Sequence, residues 1–500
     1  MSPPGSTYWL TRFVFLRLLG VVYLFAFLCT LNQSIPLIGG DGLLPAPAFL
    51  DAVAASAGSR AAAFWAVPTV FWLDCSDGAL RAGAWAGVAL SLLVCAGFAN
   101  VPVMAALWAL YMSYVHVGQL FYGYGWEMLL LETGFLAIFL SPLLDPRPFP
   151  RGTPPPTPVV WLLRWLTFRL MLGAGLIKIR GDQCWRDLTC MLYHYETQPI
   201  PNPLSPWLHH LPAWFHSLEV VFNHVVELVL PWLVFGPRRL RHAAGVGLVL
   251  FQVLLIASGN LSFLNWLTLT VCIACFDDSL LRRFVPRAFA TRLAGTGPDW
   301  DASRPRFVAV ALLVLVVAVL SLNPVANMLS SRQAMNASFD PFGLVNTYGA
   351  FGTVGRERPE IVIEGTDGDG SAGSEWRAYE LPCKPGDVRR RPCVTSPYHR
   401  RLDWQMWFAA MSSAPRDPWF LHLVAKLLQG DHAVLGLFSG VPFPAHPPRY
   451  VRALLYRYEF PPPGDRSGAW WRRTLVSEYL RPMAADDPAL REYLDAFGWR

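Results

Sequence analysis

Apolar positions in the first two thirds of the chain form about nine continuous stretches, each long enough to cross a bilayer once. Lipid offers the backbone no hydrogen-bond partners, so these stretches are predicted to be helices packed against one another. The predicted segments are 11–31, 83–99, 101–117, 128–143, 159–177, 219–236, 244–259, 261–276 and 306–325. The stretch from Phe64 to Leu73 is too short to cross and contains Pro68, which indicates an interfacial or re-entrant segment.

The pattern changes near Val325, where long apolar runs give way to short alternating ones separated by Gly, Pro and Asp. The predicted elements of this part are strands at 360–363 and 449–460 and helices at 404–412 and 419–428. We therefore predict two domains. Residues 1–325 form a polytopic α-helical membrane domain of about nine transmembrane helices, and residues 326–500 form a β-rich extramembrane domain of α+β or β-sandwich type.

Arginine clusters in three loops set the predicted orientation, because basic residues accumulate on the cytoplasmic side. These clusters lie at 147–164, 238–241 and 282–292, and the nine segments place all three on the side of the N-terminus. The loops 32–82, 118–127 and 178–218, and the whole tail from Ala326, then lie on the non-cytoplasmic side. The first segment lacks a small-residue cleavage site and contains Arg17, which favours a retained helix over a signal peptide.

Composition fits a membrane protein, with 53% hydrophobic and 15% charged residues. The 21 Trp and 16 Tyr suit a chain with two membrane–water interfaces. The net charge of +6 comes from 38 arginines against three lysines, a bias typical of a GC-rich genome such as a bacterial one. No basic cluster alternates with aromatic residues, so nucleic acid is not an expected partner.

Polar residues within membrane segments are candidates for function because their burial in lipid is costly. Glu127 is predicted to lie at a helix N-terminus, whose dipole favours an anion. Glu132 lies deeper and needs a partner, for which Arg164 and Arg169 are candidates. Lys178 is predicted at the outer end of its helix, either as a snorkelling interfacial residue or as a base of lowered pKa.

The loop 178–218 is rich in aromatic residues, proline and histidine, which predicts an ordered cap on the outer surface. It contains His194, but no pair of histidines has helical metal-ligand spacing, and we expect no metal or cofactor. His224 and Glu227 are three residues apart, a spacing that fits either a ligand pair or a polar contact between helices. Asn260 and Asn265 are expected to cap helices around a tight turn.

Four of the nine cysteines form two candidate disulfides. Cys383 and Cys393 flank a polar loop of the outer domain and would pair in an oxidising compartment, and Cys184 and Cys190 would pair similarly. Cys272 and Cys275 form a CxxC sequence, but they lie in an apolar helix without a second ligand pair and are expected to be small core residues.

Several long blocks closely resemble the lipase maturation factor family over nearly the whole chain. These blocks are Tyr8 to Arg17, Ile38 to Pro45, Gly125 to Gly134, Lys178 to Asp187, His194 to Pro199, Ser258 to Trp266, Asn346 to Gly349, Arg401 to Trp404 and Tyr450 to Tyr458. The resemblance implies a membrane protein that assists the folding and assembly of lipases on the lumenal side of the endoplasmic reticulum. A bacterial chain would lie in the cytoplasmic membrane and serve other secreted client proteins.

A second similarity is shorter. The run from Gly173 to Ile179, followed by Trp185, is similar to the helix of vitamin K-dependent γ-carboxylase-like membrane domains that carries a catalytic lysine, whose place Lys178 takes.

Two hypotheses follow. In the first, the chain is a non-enzymatic maturation factor in which exposed aromatic residues bind client proteins. The residues expected to do so are Trp185, Tyr195, Trp207, Trp404 and Trp407. In the second, the chain is a membrane enzyme in which Lys178 is a base, assisted by Glu132 or His194, acting on a lipid or quinone-like substrate. A transporter is disfavoured because the sequence shows no inverted repeat.

Overall fold

The structure is a computed structural model that describes residues 7–145, 147, 150, 153–286 and 303–499. Its helices up to residue 329 are α1 Trp9–Ile38, α2 Ala46–Ala57, α3 Arg60–Ala66, α4 Asp77–Ala96, α5 Val101–Val117, α6 Gly125–Leu140, α7 Thr157–Arg180, α8 Gln183–Arg186, α9 Met191–Thr197, α10 Ser205–His209, α11 Ala213–His224, α12 Leu230–Leu233, α13 Arg238–Ser258, α14 Leu264–Cys272, α15 Asp278–Leu281, α16 Arg304–Leu320 and α17 Leu322–Leu329. A π-helical turn at Val225–Val229 joins α11 to α12. Short 3-10 turns lie at Val70–Trp72, Gln119–Tyr122 and Ile273–Cys275.

The C-terminal part contains both helices and strands. Its helices are α18 Arg401–Ala409, α19 Pro418–Gln429, α20 His432–Leu435 and α21 Pro488–Ala496, with a 3-10 turn at Ala414–Arg416. Its strands are β1 Ala337–Ser338, β2 Asn346–Thr347, β3 Arg358–Thr366, β4 Arg377–Ala378, β5 Tyr450–Glu459 and β6 Arg472–Met483.

Several helices are long and apolar enough to cross a membrane, which confirms the predicted membrane domain. Within the described ranges five meet both criteria: Trp9–Ile38, Asp77–Ala96, Thr157–Arg180, Arg238–Ser258 and Arg304–Leu329. The predicted segments 101–117, 128–143 and 261–276 correspond to shorter apolar helices. The predicted segment 219–236 is interrupted by the π-helical turn. Only the coarser prediction of a multi-helix membrane domain is therefore confirmed.

The membrane domain has two opposite ends, which we call the N-terminal face and the junction face. At the N-terminal face, the Leu10 N–H donates to Asp278 at 2.9 Å, close to the start of α1. At the junction face, Gln33 near the end of α1 accepts from the backbone N–H of Arg401 at 2.9 Å. The C-terminal domain therefore lies against the end of the membrane domain where α1 terminates.

The predicted interfacial stretch from Phe64 to Leu73 does not form a crossing helix. It comprises the end of the seven-residue α3 and the 3-10 turn Val70–Trp72. Trp65 is 64% exposed and Leu73 is 93% exposed. A short segment with large exposed apolar side chains fits the predicted position at a membrane surface.

The C-terminal domain is built around one four-stranded antiparallel sheet of order β4-β3-β5-β6, beside a two-stranded pair of β1 and β2. β3 and β5 pair in register along their length, from Arg358 opposite Tyr458 to Thr366 opposite Tyr450. Helices α18 and α19 pack against this sheet. Of the two predicted types, the described residues form an α+β arrangement; a second packed sheet of comparable size, as a sandwich requires, does not occur among them.

The chain between α17 and β3 packs directly on α7. Gln333 donates to the carbonyl oxygen of Gly173 at 2.9 Å, and the Asp182 N–H donates to Gly352 at 2.8 Å. A Cβ atom at Gly173 would lie 2.6 Å from the carbonyl oxygen of Tyr348. Glycine at position 173 is therefore required for the two backbones to approach.

Candidate functional site at the domain junction

Lys178 lies in a closed polar cluster at the end of α7. Its ammonium donates to Glu227 Oε1 at 2.6 Å and to Asn223 Oδ1 at 2.9 Å. Asn223 in turn donates to the second oxygen of Glu227 at 3.0 Å. The lysine is 5% exposed, and its ammonium lies 5.0 Å from the centre of the Trp185 ring. Lys178 is therefore buried and paired with Glu227, which contradicts the first of the two alternatives, a snorkelling interfacial residue.

Local sequence features bring Lys178 and Glu227 together. A Cβ atom at Gly175 would lie 2.7 Å from Leu228 Cδ2 and 3.0 Å from Glu227 Cβ, so glycine allows the two helices to touch. Glu227 lies inside the π-helical turn, a local widening of the helix that is common at functional sites. The cluster therefore depends on two backbone features.

His224 and Glu227 do not act as a pair, although their spacing allowed it. The ring Nε2 of His224 lies 3.0 Å from the carbonyl oxygen of Trp185, whereas Glu227 binds Lys178. Among the described residues no group of three His, Cys, Asp or Glu side chains is placed to hold a metal ion.

Glu132 forms a second buried cluster, which joins the membrane domain to the C-terminal domain. It pairs with Arg169, one of its two predicted partners. It also accepts from the Tyr348 hydroxyl at 2.8 Å and from the Asn346 N–H at 3.0 Å. The other candidate, Arg164, lies near the N-terminal face, where it donates to the carbonyl of Ala274 and to the hydroxyl of Tyr8, both at 2.9 Å.

Glu127 forms a third cluster across the junction. It lies in the first turn of α6, as predicted, but its carboxylate makes no capping hydrogen bond. Instead it pairs with Arg401 of α18 at 2.7 Å and accepts from the Tyr111 hydroxyl. The Arg401 guanidinium also donates to the carbonyl of Phe121 at 2.6 Å and lies 3.5 Å from the centre of the Tyr122 ring. Both members of the ion pair are fully buried.

Arg358 forms a fourth cluster, which sequence reasoning missed. It begins β3, is fully buried, and pairs with Glu360 two residues along the strand. Its guanidinium donates to the carbonyls of Glu196 at 2.7 Å, Pro199 at 2.8 Å, and Gln198. This arginine therefore holds the end of α9 against the sheet. The available signal was the pair of charged residues, Arg358 and Glu360, directly before the apolar run Ile361 to Ile363.

The three residues proposed for catalysis are not joined into one constellation. Within the described part of the chain no hydrogen bond links Lys178, Glu132 and His194. His194 is 7% exposed and its ring meets that of Phe351 edge-on at 5.0 Å. Burial, and then the nearby Lys178 ammonium, lower the pKa of His194 from 6.5 to about 4. His194 is thus a neutral, packed ring near neutral pH.

Most of the aromatic residues expected to form an exposed patch are buried instead. Trp185 is 2% exposed, Tyr195 4% and Trp404 5%. The reason is that the loop 178–218 packs against the C-terminal domain. The Trp185 indole N–H donates to the carbonyl oxygen of Phe351 at 2.8 Å. The indole N–H of Trp407, which is partly buried, donates to the carbonyl oxygen of Thr197 at 3.1 Å. Trp207, by contrast, is 74% exposed. The expectation of an exposed patch therefore holds for Trp207 and is wrong for the three buried residues.

Two disulfides close loops at the junction face. Cys184 and Cys190 close a loop with Cα atoms 4.8 Å apart, and Cys383 and Cys393 close another with Cα atoms 5.4 Å apart. Asn260 does not cap a helix as predicted; it accepts from the Thr395 N–H at 2.9 Å and donates to the Cys393 carbonyl at 2.9 Å. The second disulfide loop is therefore held directly on the turn between α13 and α14. Cys272 and Cys275 are buried free thiols, as expected.

Comparison with known proteins gives the family. Residues 10–283 match the family model for the lipase maturation factor transmembrane domain, and residues 344–481 match that for the lipase maturation factor C-terminal domain. The chain belongs to the lipase maturation factor family. The two sides of the junction therefore correspond to the two domains of this family.

Individual relatives of the family cover almost the whole chain. It is 49% identical to lipase maturation factor 1 of Bos taurus, over 99% of this chain and 92% of that protein. It is 46% identical to lipase maturation factor 1 of Homo sapiens, over 100% of this chain and 93% of that protein. It is 33% identical to lipase maturation factor 2 of Homo sapiens, over 98% and 85% respectively. No solved structure matches the chain.

These relatives are all named for maturation, so the enzyme hypothesis built on Lys178 gains no support from them. The sequence blocks that resemble the family include several residues of the junction clusters. Glu127, Glu132, Lys178 and Arg401 all lie within blocks quoted for the resemblance.

Proposed function

We propose that this chain is a multi-pass membrane protein that assists the folding and assembly of lipases or other secreted client enzymes, without catalysing a reaction itself. The observation that carries the proposal is the match of both domains to the family, with relatives named lipase maturation factor aligned over nearly the full chain. The buried and paired state of Lys178 supports the non-enzymatic form of the proposal.

The proposed topology has nine crossings, with the N-terminus in the cytosol and the domain 326–500 on the opposite side. Its support is that the nine predicted segments overlap apolar helices and that α1 runs from the N-terminal face, where Leu10 donates to Asp278, to the junction face, where Gln33 accepts from Arg401. In the part of the chain that the structure describes, five helices meet the criteria of length and hydropathy, and five is also an odd number. Either count leaves the C-terminal domain on the side away from the N-terminus: the endoplasmic reticulum lumen in a eukaryote, or the outer side of the cytoplasmic membrane in a bacterium.

In this proposal the Glu132, Glu127 and Arg358 clusters make the C-terminal domain a rigid platform on the membrane domain. Clients would bind to exposed apolar side chains of the outer loop, not to the buried ones. Trp207 and Trp214 are 74% and 68% exposed, and Leu204 is 52% exposed. Exposed aromatic and aliphatic side chains of this kind are typical of protein interaction surfaces.

The test is complementation in cells that lack their own lipase maturation factor and express a lipase. The wild-type chain is expected to restore secreted lipase activity, and Trp207→Ala is expected to lower it while the level of the membrane protein is unchanged. Trp85→Ala is the matched control, because Trp85 is 60% exposed but lies within α4, a membrane-length helix. Equal lipase activity with Trp207→Ala and Trp85→Ala would reject Trp207 as a client-binding residue.

Substitution of Lys178 separates the maturation factor from the enzyme. A maturation factor needs only a cation facing Glu227, so Lys178→Arg should keep lipase maturation in any protein that still inserts. Lys178→Met leaves Glu227 buried without a partner and should lower the amount of folded protein. If a folded and inserted Lys178→Arg protein lost lipase maturation completely, the result would instead favour a catalytic role for the Lys178 amine of the wild type.

A further inference from the structure

A polar cleft opens where the end of α1 meets the C-terminal domain, separate from the four charge clusters. Its volume is about 420 Å³, within the range of small-molecule sites. Asn32 and Gln33 of α1 form one wall, and Tyr398, Arg400 and Asp403 form the other. The cleft thus has one wall from each domain.

Arg400 supplies a positive charge to the cleft. Its Nε is buried without a hydrogen-bond partner, and its guanidinium lies 5.0 Å from the centre of the Tyr398 ring. Across residues 7–145, 147, 150, 153–286 and 303–499, no carboxylate lies within ion-pair distance of it. The neighbouring Arg401 differs, because its charge is already matched by Glu127. An unmatched guanidinium in a cleft favours an oxyanion, above all a phosphate.

Tyr398 adds a second donor. Its hydroxyl oxygen accepts from the amide of Asn32 at 3.3 Å and from the amide of Gln33 at 3.2 Å. Because both of these neighbours donate, the hydroxyl proton is free to donate to a ligand in the cleft. The cleft therefore offers two donors to one oxyanion.

Asp403 supplies a negative charge beside the positive one. It lies in the first turn of α18, three residues after Arg400, and both residues line the same cleft. One carboxylate oxygen accepts from the N–H of Cys383 at 2.7 Å and of Lys384 at 2.8 Å. Burial raises the pKa of Asp403, while these two donors and then the charges of Arg400 and Lys384 act against that rise. A ligand that carries a cation next to its phosphate would satisfy both charges.

The depth of the cleft points to lipid. The helix α1 spans Trp9–Ile38, and Asn32 lies about nine residues beyond its midpoint, or about 13 Å along the axis at about 1.5 Å per residue. The hydrocarbon core of a bilayer is about 15 Å thick on each side of its centre. With the midpoint of α1 at the bilayer centre, the cleft lies at the edge of the hydrocarbon core, next to the phospholipid headgroups.

We propose that this cleft binds the zwitterionic headgroup of a phospholipid, with the phosphate on Arg400 and Tyr398 and the ammonium on Asp403. A phosphoethanolamine group has this charge arrangement. The bound lipid would fill the gap between α1 and the C-terminal domain and so link the position of that domain to the membrane surface. This goes beyond the proposed maturation role and does not depend on it.

The test is lipid binding to the purified full-length protein in detergent, measured by titration calorimetry with short-chain phosphatidylethanolamine, phosphatidylglycerol and inorganic phosphate. The ethanolamine lipid is expected to bind most tightly, and both Arg400→Gln and Asp403→Asn are expected to weaken its binding at least tenfold. Arg416→Gln is the matched control, because Arg416 is an exposed arginine of the same domain outside the cleft. Its affinity should equal that of the wild type.

Three results would overturn the proposal. The first is equal affinity of wild type and Arg400→Gln for the ethanolamine lipid, in proteins with the same unfolding midpoint. The second is equally tight binding of inorganic phosphate, which would indicate a soluble oxyanion as ligand. The third is displacement of the lipid by an acidic peptide at lower concentration than by free ethanolamine lipid, which would indicate a protein partner.

Discussion

Replacement of Glu127 by glutamine removes the negative charge of the buried ion pair that joins the two domains. The glutamine keeps the size of the side chain and a hydrogen bond to Tyr111. It leaves the Arg401 guanidinium fully buried and without a carboxylate. The destabilisation therefore comes from an unmatched buried charge and not from a cavity.

The magnitude follows from that charge. Removal of one partner from a buried ion pair costs about 3–5 kcal/mol. Arg401 keeps its hydrogen bond to the Phe121 carbonyl and its contact with the Tyr122 ring, so we expect the lower end, about 3 kcal/mol. Replacement of both partners by apolar residues removes the unmatched charge. Glu127→Leu combined with Arg401→Met should therefore be more stable than Glu127→Gln alone.

The assay is equilibrium unfolding of the purified protein in mixed micelles of mild detergent and sodium dodecyl sulfate. Glu375→Gln is the control, because Glu375 pairs with Arg377 at 3.0 Å on an exposed surface, and its unfolding midpoint should match that of the wild type. If Glu127→Gln unfolds at the same midpoint as this control, or if the double variant is the least stable of the series, the reasoning about the junction is refuted.

Three further predictions concern the outer elements. Cys383→Ser opens a disulfide with a sequence separation of 10 and should lower the free energy of unfolding by about 3 kcal/mol, measured without reductant; no change would mean that the bond does not form. Arg358→Lys removes the guanidinium that donates to three backbone carbonyls and should speed amide hydrogen exchange across residues 190–200. Unchanged exchange would contradict the role of Arg358 in holding this segment. The folded-state pKa of His194 lies below its unfolded value. The neutral ring therefore contributes fully to the free energy of unfolding above pH 6.5, and this contribution is lost as the pH falls towards about 4. The stability of His194→Phe should therefore fall less than that of the wild type between pH 7 and pH 4.5, and parallel curves would disprove the shift.

The membrane helices and the central strands were predictable because each follows from a local pattern. Run length alone located α1, α7 and α13, and alternation located β3 and β5 within a few residues. The π-helical turn at 225–229 was not predictable, because the run from 219 to 236 is apolar on both sides of it. Glu227 lies within this turn, so its position facing Lys178 was not predictable either.

The partners of the charged residues were harder to predict, because they are distant in sequence. Lys178 and Glu227, 49 residues apart, were both noted, yet as members of separate groups. Glu127 and Arg401 are 274 residues apart, and no local pattern connects them. The aromatic residues show the same limit: Trp185 and Trp207 look alike in a loop sequence, and only the packing of the C-terminal domain distinguishes the buried one from the exposed one.

The central claim is that the C-terminal domain lies on the non-cytosolic side of the membrane, against the junction face. Labelling of sealed endoplasmic reticulum vesicles with a membrane-impermeant maleimide tests it most directly. A cysteine introduced at Ser467, an exposed turn of the C-terminal domain, should react above the background of the parent protein only after detergent opens the vesicles. A cysteine introduced at Arg239, exposed near the N-terminal face, should react in intact vesicles. Reaction of the Ser467 position in intact vesicles, or protection of the Arg239 position, would contradict the account.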